Sequence, residues 1–163
     1  MSKGLSPFIS AALIILIGIF VISLVLMAIN PTLNKARDTV VVNEAIQNLR
    51  LIDQTIREVV SEGEGSKRTV SLSVSNGVYK VDPNSDSMNF SYRTSSAVPL
   101  GIYGAKDNIN LTQRGRNMNI FVHYTNIDLR GSGHFPAGDN KVIIIYNGTN
   151  SITHKPIIYI ERG

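Results

Sequence analysis

Three asparagines carry the most recognisable chemistry in this sequence. Asn89, Asn110 and Asn147 each begin an Asn-x-Ser/Thr triplet, in which the asparagine amide can accept a glycan. The similar triplet at Asn30 is excluded because proline follows the asparagine. We predict the three as glycosylation candidates. Chance remains an alternative, because the region is rich in asparagine, serine and threonine.

The sequence offers no constellation typical of an enzyme. It contains no Gly-x-Ser-x-Gly motif, no glycine-rich phosphate loop and no cysteine. His123, His134 and His154 lie too far apart for the short ligand spacing of a zinc site. The segment Asp82–Asp86 lacks the later glutamate of a calcium-binding EF-hand and predicts a turn. We therefore predict no catalytic residue, no metal site and no cofactor.

The charge pattern gives no support for nucleic-acid binding. The net charge is +4, with 16 lysines and arginines against 12 acidic residues, and the basic residues are scattered along the chain. Arg114-Gly115-Arg116 is the densest basic segment, and we interpret it as a solvated loop. No nucleic-acid partner is expected.

An uncharged apolar block, Phe8 to Ile29, dominates the N-terminal part of the chain. Its 22 residues would form a helix of about 33 Å, which matches ~30 Å of membrane hydrocarbon. Leu, Ile, Val or Phe occupy 15 of the positions, which favours membrane insertion by several kcal/mol. We predict a membrane or assembly helix, rather than a buried core helix. Its candidate residues are Phe8, Ile9, Leu13, Leu16, Gly18, Phe20, Leu24 and Leu26.

The helical pattern continues beyond the block, past Pro31, as an apolar stripe with a charged opposite side. The stripe is Leu33, Ala36, Val40, Ala45, Leu49, Ile52, Ile56 and Val59, and Asp38 is assigned to the charged side. We predict one helix over residues 5–62, with 5–30 in the membrane or a filament core and 31–62 amphipathic. The glycines at 63 and 65 should end it.

The remaining chain, residues 67–163, has the pattern of a β-domain. Val70 to Ser75 alternates strictly, Asn76-Gly77 is typical of a type I′ turn, and Val78 to Val81 follows, which together predict a hairpin. Further strands are predicted at 88–93, 109–112, 119–129, 141–146 and 156–161. The fold class is therefore α+β, with a long N-terminal helix packed through Ala45, Leu49, Ile52 and Ile56 against an antiparallel sheet.

The N-terminus resembles the class III (prepilin) signals of archaeal type IV pilins and pilin-like proteins. The resemblance rests on Lys3-Gly4, on Leu5-Ser6-Pro7 and on the apolar helix directly behind them. It implies cleavage between Gly4 and Leu5, which would remove the leader 1–4 and keep the helix. Bacterial type IV pilins usually carry glutamate where this chain has Ile9, so their charge pairing cannot be transferred.

The resemblance implies a structural role at the cell surface. The chain would be a filament subunit that polymerises through its N-terminal helix and serves in adhesion or surface interaction. Its partners would be membrane lipid before assembly, a prepilin-type peptidase with the pilus assembly machinery, and copies of itself in a helical filament. The alternative is a monomeric single-pass membrane protein that displays a β-rich binding domain.

Overall fold

The fold is a long helix followed by a β-sheet, in a computed structural model that describes residues 7–95, 108–131 and 133–163. It confirms the α+β class. The chain divides into two compact units, one ending at Arg37 and the other running Asp38–Gly163. The described elements are α1 (Pro7–Glu62), β1 (Lys67–Asp82), β2 (Ser87–Arg93), β3 (Ile109–Arg114), β4 (Asn117–His123), β5 (Asp128–Arg130), β6 (His134–Thr149) and β7 (Pro156–Arg162).

Helix α1 continues through Pro31 and supplies one side of the core in the Asp38–Gly163 unit. The predicted contacts Ala45, Leu49, Ile52 and Ile56 are all buried. Val40 belongs to the predicted apolar stripe, yet its side chain is 61% exposed. Steps of three and four residues back from Ala45 reach Val42, Val41 and Asp38, and these three are the buried residues.

The helix ends at Glu62, as its glycine-rich continuation predicts. Gly63 adopts φ 98°, a backbone conformation that few other residues adopt without strain. The Ser66 hydroxyl donates to the Val59 carbonyl at 2.6 Å, and so satisfies one of the carbonyls left open at the helix C-terminus.

Among the described residues, seven strands form one sheet in the order β3-β4-β2-β1-β6-β7-β5. The sheet was predicted to be antiparallel. It is mostly so, and β5 pairs with β7 in parallel. Antiparallel neighbours need only short turns, as between β3 and β4, whereas the parallel pair requires a longer connection, here made through β6.

The hairpin predicted over residues 70–81 was wrong, because β1 is one strand that passes through Asn76-Gly77. A bulge between Val74 and Val78 interrupts its pairing with β6. Val70, Leu72 and Val74 are buried before the bulge, and Tyr79 and Val81 are buried after it. The bulge therefore corrects the alternation of faces, so that both halves of the strand point into the same core.

Helix α1 holds this bulge in place. The Glu44 carboxylate accepts hydrogen bonds from the Ser75 amide, at 2.7 Å, and from the Ser75 hydroxyl. The Asn48 side chain donates to the Ser73 carbonyl at 2.9 Å. Ser75 lies in the stretch where the pairing with β6 is interrupted, and the Glu44 contact supplies a partner for its amide there.

The long strand predicted over residues 119–129 is two strands, β4 and β5. The chain leaves the sheet after His123 because Asp86 binds the segment that follows through both its backbone carbonyl and its side chain. The Asp86 carbonyl accepts from the Tyr124 amide at 2.9 Å, and its carboxylate accepts from the Leu129 amide at 3.0 Å. The strand predicted at 141–146 is longer than expected, since β6 spans His134–Thr149. The other three predictions agree with β2, β3 and β7.

Candidate functional site

The apolar block lies wholly within α1 and leaves its side chains exposed. Phe8 is 87% exposed, Leu16 69% and Phe20 62%. The predicted residues Ile9, Leu13, Leu24 and Leu26 are also exposed, and a Cβ placed on Gly18 would have no neighbour within 4 Å. Within the described residues, this helix is long and apolar enough to cross a membrane.

Polar groups within the block are few, and Ser23 shows how one is satisfied. Its hydroxyl donates to the Ile19 carbonyl at 2.8 Å, so it needs no water. Ser23 also lines a shallow groove on the helix surface with Ala12 and Phe20. The small side chains of Ala12 and Ser23 would allow another helix to approach closely.

The predicted leader residues Lys3, Gly4 and Leu5 lie outside the described residues. The structure therefore places the helix that follows the predicted cleavage bond, from Pro7 onward, and leaves the cleavage itself a prediction.

A buried carboxylate that the sequence pattern assigned to the charged side fixes α1 to the sheet. Asp38 is 0% exposed. It accepts hydrogen bonds from the Tyr92 hydroxyl at 2.6 Å and from the Ser95 amide at 2.9 Å. Burial, with the neighbouring Asp38 carboxylate, raises the pKa of Tyr92 to about 12. The tyrosine therefore remains a proton donor to this carboxylate at neutral pH.

A second polar cluster lies where α1 faces the start of β3. Arg57 Nε donates to the Asp53 carboxylate at 2.9 Å, and this partner raises the pKa of Arg57. Burial, with the charge of Asp53, raises the pKa of Tyr124. The cluster borders a cleft of about 390 Å³ that Asn108 and Ile109 also line. The described residues that line the cleft include an ion pair but no nucleophile beside a base, so we assign it no reaction.

The predicted turn at Asp82–Asp86 is confirmed. The Asp82 carboxylate accepts from the Asn84 amide at 3.1 Å and from the Ser85 hydroxyl at 2.9 Å. These bonds lower the pKa of Asp82. The predicted strand and loop histidines also lie where expected, His123 in β4, His134 in β6 and His154 in the loop before β7.

The sheet brings together two of the three glycosylation candidates. Asn89 of β2 and Asn110 of β3 both pair with Phe121 of β4, one on each side. Asn110 is exposed, whereas Asn89 is half-buried. Asn147 lies apart from them in β6 and is exposed, at a point where the pairing with β7 is irregular. Modification of any of the three stays a prediction.

The same pairing extends into a regular polar surface, which we call the Arg–Asn face. It lies on the side of β2, β4 and β3 that points away from the core, since the alternate residues are buried in β2 and β4 and buried or half-buried in β3. We use the word row for three residues that are paired directly across β2, β4 and β3, as Asn89, Phe121 and Asn110 are. Two further rows lie beside that one. The nine residues, row by row, are Arg93, Asn117 and Arg114; Ser91, Asn119 and Thr112; and Asn89, Phe121 and Asn110.

Sequence reasoning missed this face because its residues are distant in the chain. Arg114 belongs to the basic segment that was interpreted as a solvated loop, and it is instead the last residue of β3. Arg93 reaches the same row only through the register of β2 with β4. Alternation within each strand could have placed these residues on an exposed side, but only the strand register places them in one row.

Comparison with known proteins gives no relative for this chain. No family model, curated protein or solved structure matches it. The class of the protein is therefore given by its own architecture, an exposed apolar helix followed by a mixed, mostly antiparallel β-domain. The resemblance to pilins rests on the sequence features alone.

Proposed function

We propose that this chain is the structural subunit of a type IV pilus-like surface filament. In this proposal the helix is held in the membrane of the precursor and then packs against copies of itself. The β-domain lies on the outside of the cell and serves in adhesion or surface interaction. The role is structural and not enzymatic.

The observation that carries the proposal is the exposed apolar surface of α1. Sixteen large apolar side chains between Phe8 and Ile29 are 44–87% exposed. Burying the exposed half of such side chains would contribute on the order of 20 kcal/mol. Among the described residues of the unit that ends at Arg37, none covers these side chains, and we infer that lipid or other copies of the chain cover this surface.

The two environments make different demands, and the block meets both. Lipid requires backbone and side-chain polar groups to be satisfied internally, as the helix and the Ser23 hydroxyl are. Packing of helices requires small residues between large ones, which Ala12, Gly18 and Ala28 supply along the block. A helix that only anchored a monomer would need satisfied polar groups but would not need small residues between the large ones.

Electron microscopy of the expressing cell, with a Gly4→Trp variant, tests the proposal. We expect filaments from the natural sequence, and from Gly4→Trp an unprocessed precursor that stays in the membrane without filaments. Ser2→Trp is the matched control, because it adds the same bulk to the leader away from the predicted bond. Filaments of normal number and length from Gly4→Trp would contradict cleavage as the assembly step.

Protease treatment of intact cells separates this proposal from the monomeric anchor and checks its orientation. Both hypotheses place the β-domain outside, where added protease should reach it. Only the filament hypothesis predicts that shear releases the chain in a high-molecular-weight form. A β-domain that is protected in intact cells and cut only after lysis would contradict both.

A further inference from the structure

We propose that the Arg–Asn face binds an acidic polysaccharide. This inference deepens the adhesion role proposed above, because it names the chemical class of ligand that the β-domain would recognise. It depends on residues of the Asp38–Gly163 unit alone.

The charge of the face favours an anionic ligand. None of its nine residues is acidic, and Arg93 and Arg114 are both exposed. Among the described residues, neither Arg93 nor Arg114 forms an ion pair with an acidic side chain. Guanidinium groups bind carboxylate or sulfate oxygens in a bidentate manner.

The position of the two arginines favours an extended ligand. Each is paired with Asn117, so their backbones are two strand spacings apart, roughly 10 Å. When both side chains extend straight out from the sheet, their guanidinium groups keep about this spacing and can each bind a separate anionic group. A chain that carries acidic groups at intervals can contact each of them.

The neutral residues of the face favour a sugar polymer over a nucleic acid. Four asparagines and two hydroxyl residues surround the arginines, and amide groups both donate to and accept from sugar hydroxyls. Phe121 is the one aromatic residue of the nine, and it provides a flat apolar surface for a sugar ring. Sheets that bind single-stranded nucleic acid generally stack two or three bases on several aromatic side chains.

A glycan on Asn110 would leave the arginine row accessible. Asn110 and Arg114 lie four residues apart in β3, which corresponds to about 13 Å along the strand. The two rows nearest Arg93 and Arg114 contain no Asn-x-Ser/Thr acceptor. Binding to these two rows is therefore compatible with modification at Asn110, whereas contact with Phe121, which pairs directly with Asn110, requires the unmodified asparagine.

The test is a titration of the full chain, held in nanodiscs of neutral lipid, with an alginate oligosaccharide whose repeating units each carry a carboxylate. We expect saturable binding that weakens with salt, and no binding of neutral dextran. The double variant Arg93→Gln/Arg114→Gln should lower the affinity at least tenfold. The control Lys141→Gln/Arg162→Gln removes the same charge from exposed positions of β6 and β7, and it should change the affinity less than twofold. Circular dichroism would verify that both variants fold.

Several results would overturn the inference. Equal losses in the two double variants would show that only net charge matters. Equal binding of dextran would show that the arginines are not recognition groups. Tighter binding of a 20-nucleotide DNA strand, or of vesicles containing anionic lipid, would assign the face to that other class of partner. The filament proposal is tested separately, because the Arg93→Gln/Arg114→Gln chain should still assemble, and its failure to bind alginate would leave that proposal standing.

Discussion

Replacing Tyr92 by phenylalanine tests the buried contact that joins α1 to the sheet. The change removes one hydroxyl and leaves the ring that packs in the core. That hydroxyl donates at 2.6 Å to Asp38, whose side chain is 0% exposed. A hydrogen bond to a buried charged group contributes about 1.5–3 kcal/mol, and its loss leaves a carboxylate oxygen without that donor. We expect the free energy of unfolding to fall by about 2 kcal/mol.

The assay is urea unfolding of the full chain in mild detergent, followed by near-ultraviolet circular dichroism. The chain contains six tyrosines and no tryptophan, so this signal reports tyrosine packing. Tyr146→Phe is the matched control, because the Tyr146 hydroxyl contacts the Thr149 hydroxyl at 3.0 Å on the exposed side. The control should cost less than about 1 kcal/mol. Equal losses for the two variants would refute the assignment of Asp38 and Tyr92 as a buried pair.

A second measurement locates the effect. The Ser95 amide donates to the other oxygen of Asp38 at 2.9 Å, so its hydrogen exchange should accelerate in Asp38→Asn, where a neutral amide oxygen is a weaker acceptor than the carboxylate. A double-mutant cycle of Asp38→Asn and Tyr92→Phe should give a coupling energy of about 1 kcal/mol or more. Additive losses would mean that the two side chains do not interact in solution.

Three further predictions concern the bulge, alkaline pH and the glycosylation candidates. Gly77→Ala should destabilise the domain by more than Gly63→Ala. Both glycines have positive φ, but a Cβ at Gly77 would also lie 2.6 Å from the Phe90 ring. Equal urea midpoints for the two variants would contradict the bulge. The pKa of Tyr92 is raised from 10.0 to about 12 in the folded state. Between pH 10 and 12 the unfolded state therefore releases this proton before the folded state does. The contribution of Tyr92 to the free energy of unfolding is complete below pH 10 and is lost across this window. The urea midpoint should fall across this window, and should fall less in Tyr92→Phe; an equal fall would exclude Tyr92 as its source. Peptide mass spectrometry should find glycans at Asn110 and Asn147, which are exposed, in preference to half-buried Asn89, and the reverse order would contradict the described strand positions.

The sequence predicts the elements of this fold better than it predicts their connections. The length of α1 and its end at Glu62 follow from apolar spacing and from the glycines beyond it. Asn76-Gly77 has the local signature of a hairpin turn, yet it forms a bulge because Glu44, 31 residues earlier, binds Ser75. A local pattern cannot reveal a competing partner that distant in the chain.

The same limit applies to the candidate sites. The exposed apolar block is visible in the sequence because its residues are consecutive. The Arg–Asn face is not visible, because the register of three strands assembles it from residues up to 32 positions apart, as for Asn89 and Phe121. Asp38 was misassigned because a charged residue is rarely buried, and Tyr92, which compensates for its burial, lies 54 residues away.

The N-terminal residue of the chain isolated from shed surface material tests the central claim most directly. Mass spectrometry of intact protein from sheared and sedimented filaments would determine it. The filament hypothesis predicts that the chain begins at Leu5 and sediments as polymer. A chain that begins at Met1 or Ser2 and is found only as a membrane-bound monomer would contradict it.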